Sequence, residues 1–343
     1  MKKRVLDFLV LFMALSYGFG QESQMYNVGQ KSISYTDDSR DRPIVTEIWY
    51  PTKDIKHKDG PSQNQRMPFV EIKTIPNANI ANDKFPLLLV SHGTGGNRFS
   101  LTWFIEEMVQ AGYIVVSVDH YGNNSFHKLP REFVKWWERA IDIQYVLTEI
   151  LKDDLVGESI DRSKIGGVGF SLGGYTNIAL AGGYVDRSSK EVQGSELPPE
   201  FPDTGEEINF ETDSLIVASY LKYKDKVKDD RIKAFFVMAP AIGFGFHSKA
   251  QVKDITAPIF MVAGKGDTNT PVKYNAEKYK QLISTSTLHL FGDHVDHYVF
   301  LNEGTDFGKQ ILPQLTVDHP TVDRKEIHEK TVGLAMSFFK ETL

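Results

Sequence analysis

The sequence predicts an α/β protein: a mainly parallel sheet covered on both faces, with one inserted lid segment. Three observations predict it. Short, continuous apolar runs such as Phe85-Pro86-Leu87-Leu88-Leu89-Val90-Ser91 recur along the chain, too short for solo helices and apolar enough to be buried on both faces. Helix-like stretches separate these runs, as parallel crossovers require. Finally, Gly169-Phe170-Ser171-Leu172-Gly173 lies between an apolar run, Ile165-Gly166-Gly167-Val168, and a stretch of small residues over 172–181. That context is a strand, a sharp turn with serine at its apex, and then a helix.

The elements follow in order. Lys2-Lys3-Arg4 precede an apolar run over 5–15 broken only by Asp7, and small residues follow up to Gly20. This reads as a cleaved secretory signal over 1–20, with a single domain over 21–343 and a periplasmic or secreted location. The run is shorter than the roughly 20 apolar residues that span a bilayer, so no stable membrane span is expected after cleavage. Residues 30–51 alternate around Ile33, Tyr35, Ile44, Thr46, Ile48 and Tyr50, predicting antiparallel strands with one wet face. Residues 52–84 are polar and read as a long surface loop. A strand over 85–91, a helix over 102–111 closed by Gly112, and a strand over 113–118 come next. One long amphipathic helix is expected over 131–152, carrying Trp136 and Trp137. After the turn at Ser171 the rhythm breaks: residues 184–230 are charged and hold Pro198, Pro199 and Pro202. They read as the inserted lid or cap, with a helix near 214–223. Strands over 234–238, 258–263 and 288–291 alternate with helices over 272–282 and 324–339.

Composition narrows the function. The 343 residues are 41% hydrophobic and 24% charged with a formal net charge of −6, and no Lys/Arg stripe marks a nucleic-acid partner. The absence of cysteine excludes disulfides, thiol catalysis and a lipidated cysteine.

A serine hydroxyl becomes a nucleophile when a histidine takes its proton and a carboxylate orients that histidine. In a sheet of this kind the chain order is serine, acid, histidine. Asp267 follows an apolar run and Gly264-Lys265-Gly266, the right place for the acid. Two histidines follow the strand ending at Phe291, His294 and His297, and reach alone leaves both open as the base. Asp293, His294, Asp296 and His297 also suggest metal ligands, but loop spacing without a helical HExxH pattern is a weak metal signal, so neither metal nor cofactor is expected. An oxyanion needs two backbone donors. Leu172, opening the helix after Ser171, and Thr94, in His92-Gly93-Thr94-Gly95-Gly96-Asn97, are the candidates. No Gly-Lys-Ser/Thr follows that glycine run, so it is not a phosphate loop. His92 precedes Ser171 in the chain and is expected to shape its loop.

The chain resembles the bacterial α/β-hydrolases called predicted dienelactone hydrolases, which are similar to platelet-activating-factor acetylhydrolase. The matching segments are Arg42-Pro43 with Trp49-Tyr50-Pro51; Ser91 to Arg98; Asp119-His120-Tyr121-Gly122-Asn123; Trp137-Glu138-Arg139-Ala140-Ile141-Asp142-Ile143; Ala239-Pro240-Ala241-Ile242-Gly243; and Asp323-Arg324 with His328. Tyr121 stands where the family has proline, and the Trp137 segment likewise lacks the family's proline. The resemblance implies the α/β-hydrolase fold and favours His297 as the base, because His297-Tyr298-Val299-Phe300-Leu301 matches the family's His-aromatic-x-Phe-Leu run. True dienelactone hydrolases use cysteine, so what carries over is a serine esterase, with Ser171, Asp267 and His297 as a catalytic triad. Its partner would be a small-molecule, lipid or polymer ester. Phe99, Trp103, Phe126, Phe244 and Phe246 are expected near the rim of the site. An exported peptidase or amidase, and a non-catalytic binding protein of the same fold, are the alternatives.

Overall fold

The computed structural model describes residues 25–55, 66–187, 198, 200–205 and 208–343, so the expected signal segment lies outside the described residues. The strands are β1 (Asn27–Asp37), β2 (Arg42–Thr52), β3 (Ile75–Pro76), β4 (Phe85–Ser91), β5 (Ile114–Val118), β6 (Ile160–Phe170), β7 (Ala234–Met238), β8 (Ile259–Gly264) and β9 (Ser286–Phe291). They form one sheet in the order β3-β1-β2-β5-β4-β6-β7-β8-β9. The alternating segment is the antiparallel β1–β2 pair, and β2 runs antiparallel to β5. From β5 to β9 every neighbour is parallel.

Among the described residues the helices are α1 (Thr102–Gln110), α2 (Pro130–Val134), α3 (Trp136–Ile150), α4 (Leu172–Leu180), α5 (Ser214–Tyr223), α6 (Ala276–Leu282), α7 (Asp306–Ile311), α8 (Pro313–Thr316) and α9 (Arg324–Thr342). Side chains alternate across each strand. Leu87, Leu89, Phe235 and Val237 join a core with α3, α4 and α6. Leu88, Val90, Phe236 and Met238 join a second core with α1 and α9. Among the described residues no helix is long and apolar enough to cross a membrane.

The expected helix over 131–152 is broken at Lys135, whose φ of −89° and ψ of 56° leave the helical region. Ion pairing explains the break. Glu132 pairs with Arg42 Nη2, and Glu138 pairs with Arg42 Nη1 at 2.9 Å. On one continuous helix, side chains six residues apart point about 120° away from each other. The break at Lys135 turns both carboxylates toward one arginine. The expected helix over 272–282 is likewise interrupted at Asn275, between a short turn over 272–274 and α6. There Asn275 Oδ1 accepts the Gly243 N–H at 2.9 Å. The loop over 52–84 adds only β3 to its irregular course among the described residues.

Within the 184–230 segment, α5 packs on α3. Trp137 Nε1 donates to Ser219 Oγ at 2.8 Å, and Asp213 caps α5 while pairing with Arg131. The sheet positions the site by its strand order. After β4 the chain steps to β5 on one side, and from β6 onward it grows on the other. Ligand crevices open at such a switch point, outside the carboxyl ends of the strands. Here the loops after β4 and β6 flank it.

Backbone approaches backbone closely there. A Cβ on Gly173 would lie 1.8 Å from the Ser91 carbonyl oxygen, and one on Gly169 would lie 2.1 Å from the Gly173 carbonyl oxygen. Neither obstacle is a flexible side chain. Gly173→Ala is therefore expected to destabilise the protein by about 2–3 kcal/mol or more in chemical denaturation. A change below about 1 kcal/mol would mean that α4 has room to recede.

Candidate active site

Ser171 sits between β6 and α4 with φ 55° and ψ −117°, a conformation that an L-residue adopts only when its surroundings enforce it. Its N–H donates to Met238 O at 2.9 Å and its carbonyl accepts from Ala241 N–H at 3.0 Å. The end of β7 thus holds the turn from both sides. That segment carries two further left-handed residues, Ala239 and Ile242.

His297 Nε2 lies 3.0 Å from Ser171 Oγ, and His297 Nδ1 lies 2.7 Å from Asp267 Oδ2. A carboxylate only accepts, so Nδ1 carries the proton and Nε2 is free to accept from the serine hydroxyl. The loops bearing Asp267 and His297 are laced together through backbone. Gly266 N–H donates to Val295 O at 3.1 Å, and a Cβ on Gly264 would lie 2.0 Å from that same oxygen. Burial alone would raise the Asp267 pKa, but hydrogen bonds from His297 and Thr270 and the nearby imidazole bring it below the usual carboxylate value. Thr270 supplies two of these bonds, N–H to Oδ1 at 2.6 Å and Oγ1–H to Oδ2 at 2.8 Å. Sequence reasoning missed Thr270. The Asp-x-x-Thr spacing of a side-chain-capped turn was its only signal.

His294 is not brought to the serine. It is exposed, hydrogen-bonds Thr321 Oγ1 at 3.0 Å and packs against His319. Asp293 pairs with Lys265, while Asp296 accepts the His297 N–H at 2.7 Å.

The oxyanion candidates emerge from an accounting of donors. In the loop after β4, Gly95 N–H donates to Asn123 Oδ1, Gly96 N–H to Gly93 O, Asn97 N–H to Ser100 Oγ and Arg98 N–H to Asp119 Oδ1. From 94 to 98, only the Thr94 N–H makes no hydrogen bond among the described residues. The Leu172 N–H, in the first turn of α4, is equally unspent and adds the positive end of the helix dipole. Both residues line one cleft with Ser171 and His297. His92 shapes the loop: its Nδ1–H donates to Gly93 O at 2.6 Å and its Nε2 accepts from His120 N–H.

That cleft has a volume of about 1850 Å³. Phe99, Phe126 and Phe244 line it, as expected. Trp103 and Phe246 do not. Trp103 stacks on His328 with ring centroids 3.6 Å apart and donates to Phe300 O, and Phe246 is wholly buried against Tyr279. Phe69, Trp136 and Tyr274 are lining aromatics that sequence reasoning missed. Pro198 and Glu200 bring the 184–230 segment to the cleft.

No protein-family model matches the chain, and no curated protein matches it. Among solved structures it is similar to a ferulic acid esterase from Streptomyces cinnamoneus, with a TM-score of 0.58, 17% identity, and coverage of 93% of this chain and 90% of that one. With the sheet described above, this likeness establishes an α/β-hydrolase fold.

Three buried histidines make stability depend on pH. Burial holds His92 well below its ordinary pKa, His120 at about 3 and His328 at about 4, with Arg139 adding to the effect at His92 and His120. The unfolded value is about 6.5, so unfolding takes up protons between the two values. Stability is therefore full above about pH 6.5 and falls as the pH drops toward 4, by up to about 1.4 kcal/mol per pH unit per histidine. Denaturation midpoints measured from pH 7 to 4.5 should fall steeply, and His328→Gln should make the fall shallower by about one proton. A flat profile would mean that these rings are already charged in the native state.

Proposed function

We propose that the protein is a serine hydrolase of carboxylic esters that works through an acyl-enzyme. One observation carries the reading: a hydrogen-bonded chain from Asp267 through His297 to Ser171 faces the unspent Thr94 and Leu172 N–H groups in one cleft. In the proposed reaction His297 Nε2 takes the proton as Ser171 Oγ attacks the ester carbonyl. Asp267 holds the tautomer and stabilises the imidazolium. The two N–H groups take up the oxyanion, a contribution typically worth about 2.7–4 kcal/mol per donor. His297 then protonates the departing alcohol. Water, activated by the same imidazole, attacks the acyl-enzyme carbonyl and releases the acid and the free serine.

The motif resemblance to predicted dienelactone hydrolases supports a serine esterase, and one similar solved structure is that of a protein named for ester cleavage. Export is proposed from the 1–20 segment alone. The cleft points to the substrate class. Its volume of about 1850 Å³ exceeds the roughly 300–1,000 Å³ of an ordinary small-molecule pocket. Phe126 and Tyr274 stand at its border 68% and 57% exposed, joined by the exposed Met67 and Val70. A substrate with bulky apolar groups beside the ester covers these side chains, and a small hydrophilic ester leaves them in water.

Hydrolysis of p-nitrophenyl esters from acetate to decanoate tests the chemistry. Ser171→Ala, His297→Ala and Asp267→Asn should each lower kcat by about 10⁴-fold. A fluorophosphonate probe should label Ser171. Turnover that survives in Ser171→Ala would remove the reading, and binding without turnover in the wild type would favour a non-catalytic role.

The substrate class has its own test. Phe126→Ser and Tyr274→Ser should each reduce kcat/KM for decanoate by about 5- to 10-fold, from lost apolar contact, and leave acetate nearly unchanged. Equal losses on both esters would contradict an apolar rim.

A further inference from the structure

Two motifs that the reaction leaves unused, Asp119 to Asn123 and Trp137 to Asp142, converge behind the loop that carries Thr94. His120 Nδ1 lies 3.1 Å from Asp142 Oδ2, and His120 Nε2 lies 2.9 Å from Ser91 Oγ. The connectivity copies that of the candidate triad, yet Ser91, His120 and Asp142 are at most 1% exposed, out of reach of any substrate. Proton roles are fixed from one end. The Asp142 carboxylate only accepts, so His120 Nδ1 donates to it, its Nε2 accepts from the Ser91 hydroxyl, and Ser91 Oγ accepts in turn from Arg139 Nη2 at 3.2 Å. The same Arg139 nitrogen donates to the His92 carbonyl.

That carbonyl begins the stretch of backbone that must be held still. A Cβ on Gly93 would lie 3.1–3.3 Å from the Phe170 ring and the Ser171 Cβ, so close approach to the candidate nucleophile favours glycine there. Glycine, however, is the residue with the widest backbone freedom. Two clamps remove that freedom. Arg139 fixes the peptide plane before Gly93 through the His92 carbonyl. The His92 ring and the Gly96 N–H fix the plane after it through the Gly93 carbonyl. In a trans peptide the N–H points opposite its carbonyl, so the direction of the Thr94 N–H follows. The arrangement is not one that stability favours. Arg139 is buried, and its Nε and Nη1 have no hydrogen-bond partner among the described residues.

We infer that Arg139 is a positioning residue for the oxyanion hole, holding the Thr94 N–H on the developing oxyanion through the His92 carbonyl and the Ser91 hydroxyl. The inference rests on the esterase reading above. Asp142 anchors the far end of the chain, itself held by Arg40 at 2.9 Å and Arg42 at 3.1 Å.

An oxoester compared with its thionoester, which has the same acid and alcohol but C=S in place of C=O, separates this role from simple support of the fold. Backbone N–H donors placed for a small, hard oxyanion stabilise the larger, softer sulfur anion poorly. The wild type should therefore prefer the oxoester strongly. Arg139→Met should lower oxoester kcat by about 30- to 100-fold with KM within about 2-fold, approaching the loss of one donor. Its thionoester rate should change by less than about 3-fold, so the preference collapses. Ser91→Ala removes a single oxygen and should show the same pattern at about 5- to 10-fold, which keeps the test decisive if Arg139→Met fails to fold. Equal losses on both substrates, or an unchanged preference in folded variants, would overturn the inference. A wild type without ester turnover would instead overturn the esterase reading.

Discussion

The first turn of α4 lies against the carbonyls of Ser91 and His92 with no room for a side-chain carbon between them. On this contact the arrangement of the site depends. It brings the turn at Ser171 and the loop after β4 together at the point where the sheet changes direction of growth. Gly169 and Gly173 permit the approach, and the strained backbone of Ser171 is its consequence. Strain of this kind costs about 1–3 kcal/mol. All nine residues of α4 are buried, and a single fully buried Leu or Ile contributes about 1.5–3 kcal/mol, so packing of Leu172, Ile178 and Leu180 offsets the strain.

The other half of the site uses the same device. The loops after β8 and β9 meet backbone to backbone at Gly264, Gly266 and Val295, and that contact sets Asp267 beside His297. Backbone-to-backbone contacts are stiffer than contacts between long side chains, which suits a chain of hydrogen bonds that must close to a few tenths of an ångström. Charge performs the anchoring farther out. Arg40 and Arg42 from the β1–β2 hairpin converge on Glu138 and Asp142 of α3. Buried ion pairs of this kind add little net stability, because desolvation opposes their attraction. What they specify is register: the hairpin, α3 and the loop after β4 are locked in one relative position.

The sheet was legible because parallel strands buried on both faces read as unbroken apolar runs, and because β1 alternates. The expected wet face holds for β1 alone, since β2 is buried on both faces from Thr46 to Thr52. Ser171 was legible from its flanking glycines and their context. His294 and His297 were not separable by local pattern, since they stand three residues apart in one loop. Tertiary lacing decides between them, drawing Val295 and His297 inward and leaving His294 on the surface. The break at Lys135 was hidden because its cause, Arg42, lies more than ninety residues earlier. Trp103 and Phe246 were misplaced for a related reason. Sequence proximity puts an aromatic residue near a loop, but its direction follows from partners such as His328 and Tyr279, which come much later in the chain.

The cleft sets polar chemistry in apolar walls, and that contrast has a physical use. Asp267 and His297 are buried at 4% and 3% exposure, and Ser171 at 8%, so little water reaches their hydrogen bonds. In such surroundings a fixed N–H dipole acts on a developing charge far more strongly than in bulk water. The 184–230 segment contributes to the enclosure. Lys128 Nζ donates to the Glu200 carbonyl at 3.3 Å, and Tyr298 Oη donates to Glu200 Oε1 at 3.3 Å. A Cβ on Gly95 would meet the Glu200 side chain at 2.9 Å. Glu200 thereby ties the segment to the loop of Thr94 and the loop of His297 at once. Any shift of the segment that displaces Glu200 bears on both, so the shape of the cleft and the alignment of its chemistry are coupled through one residue.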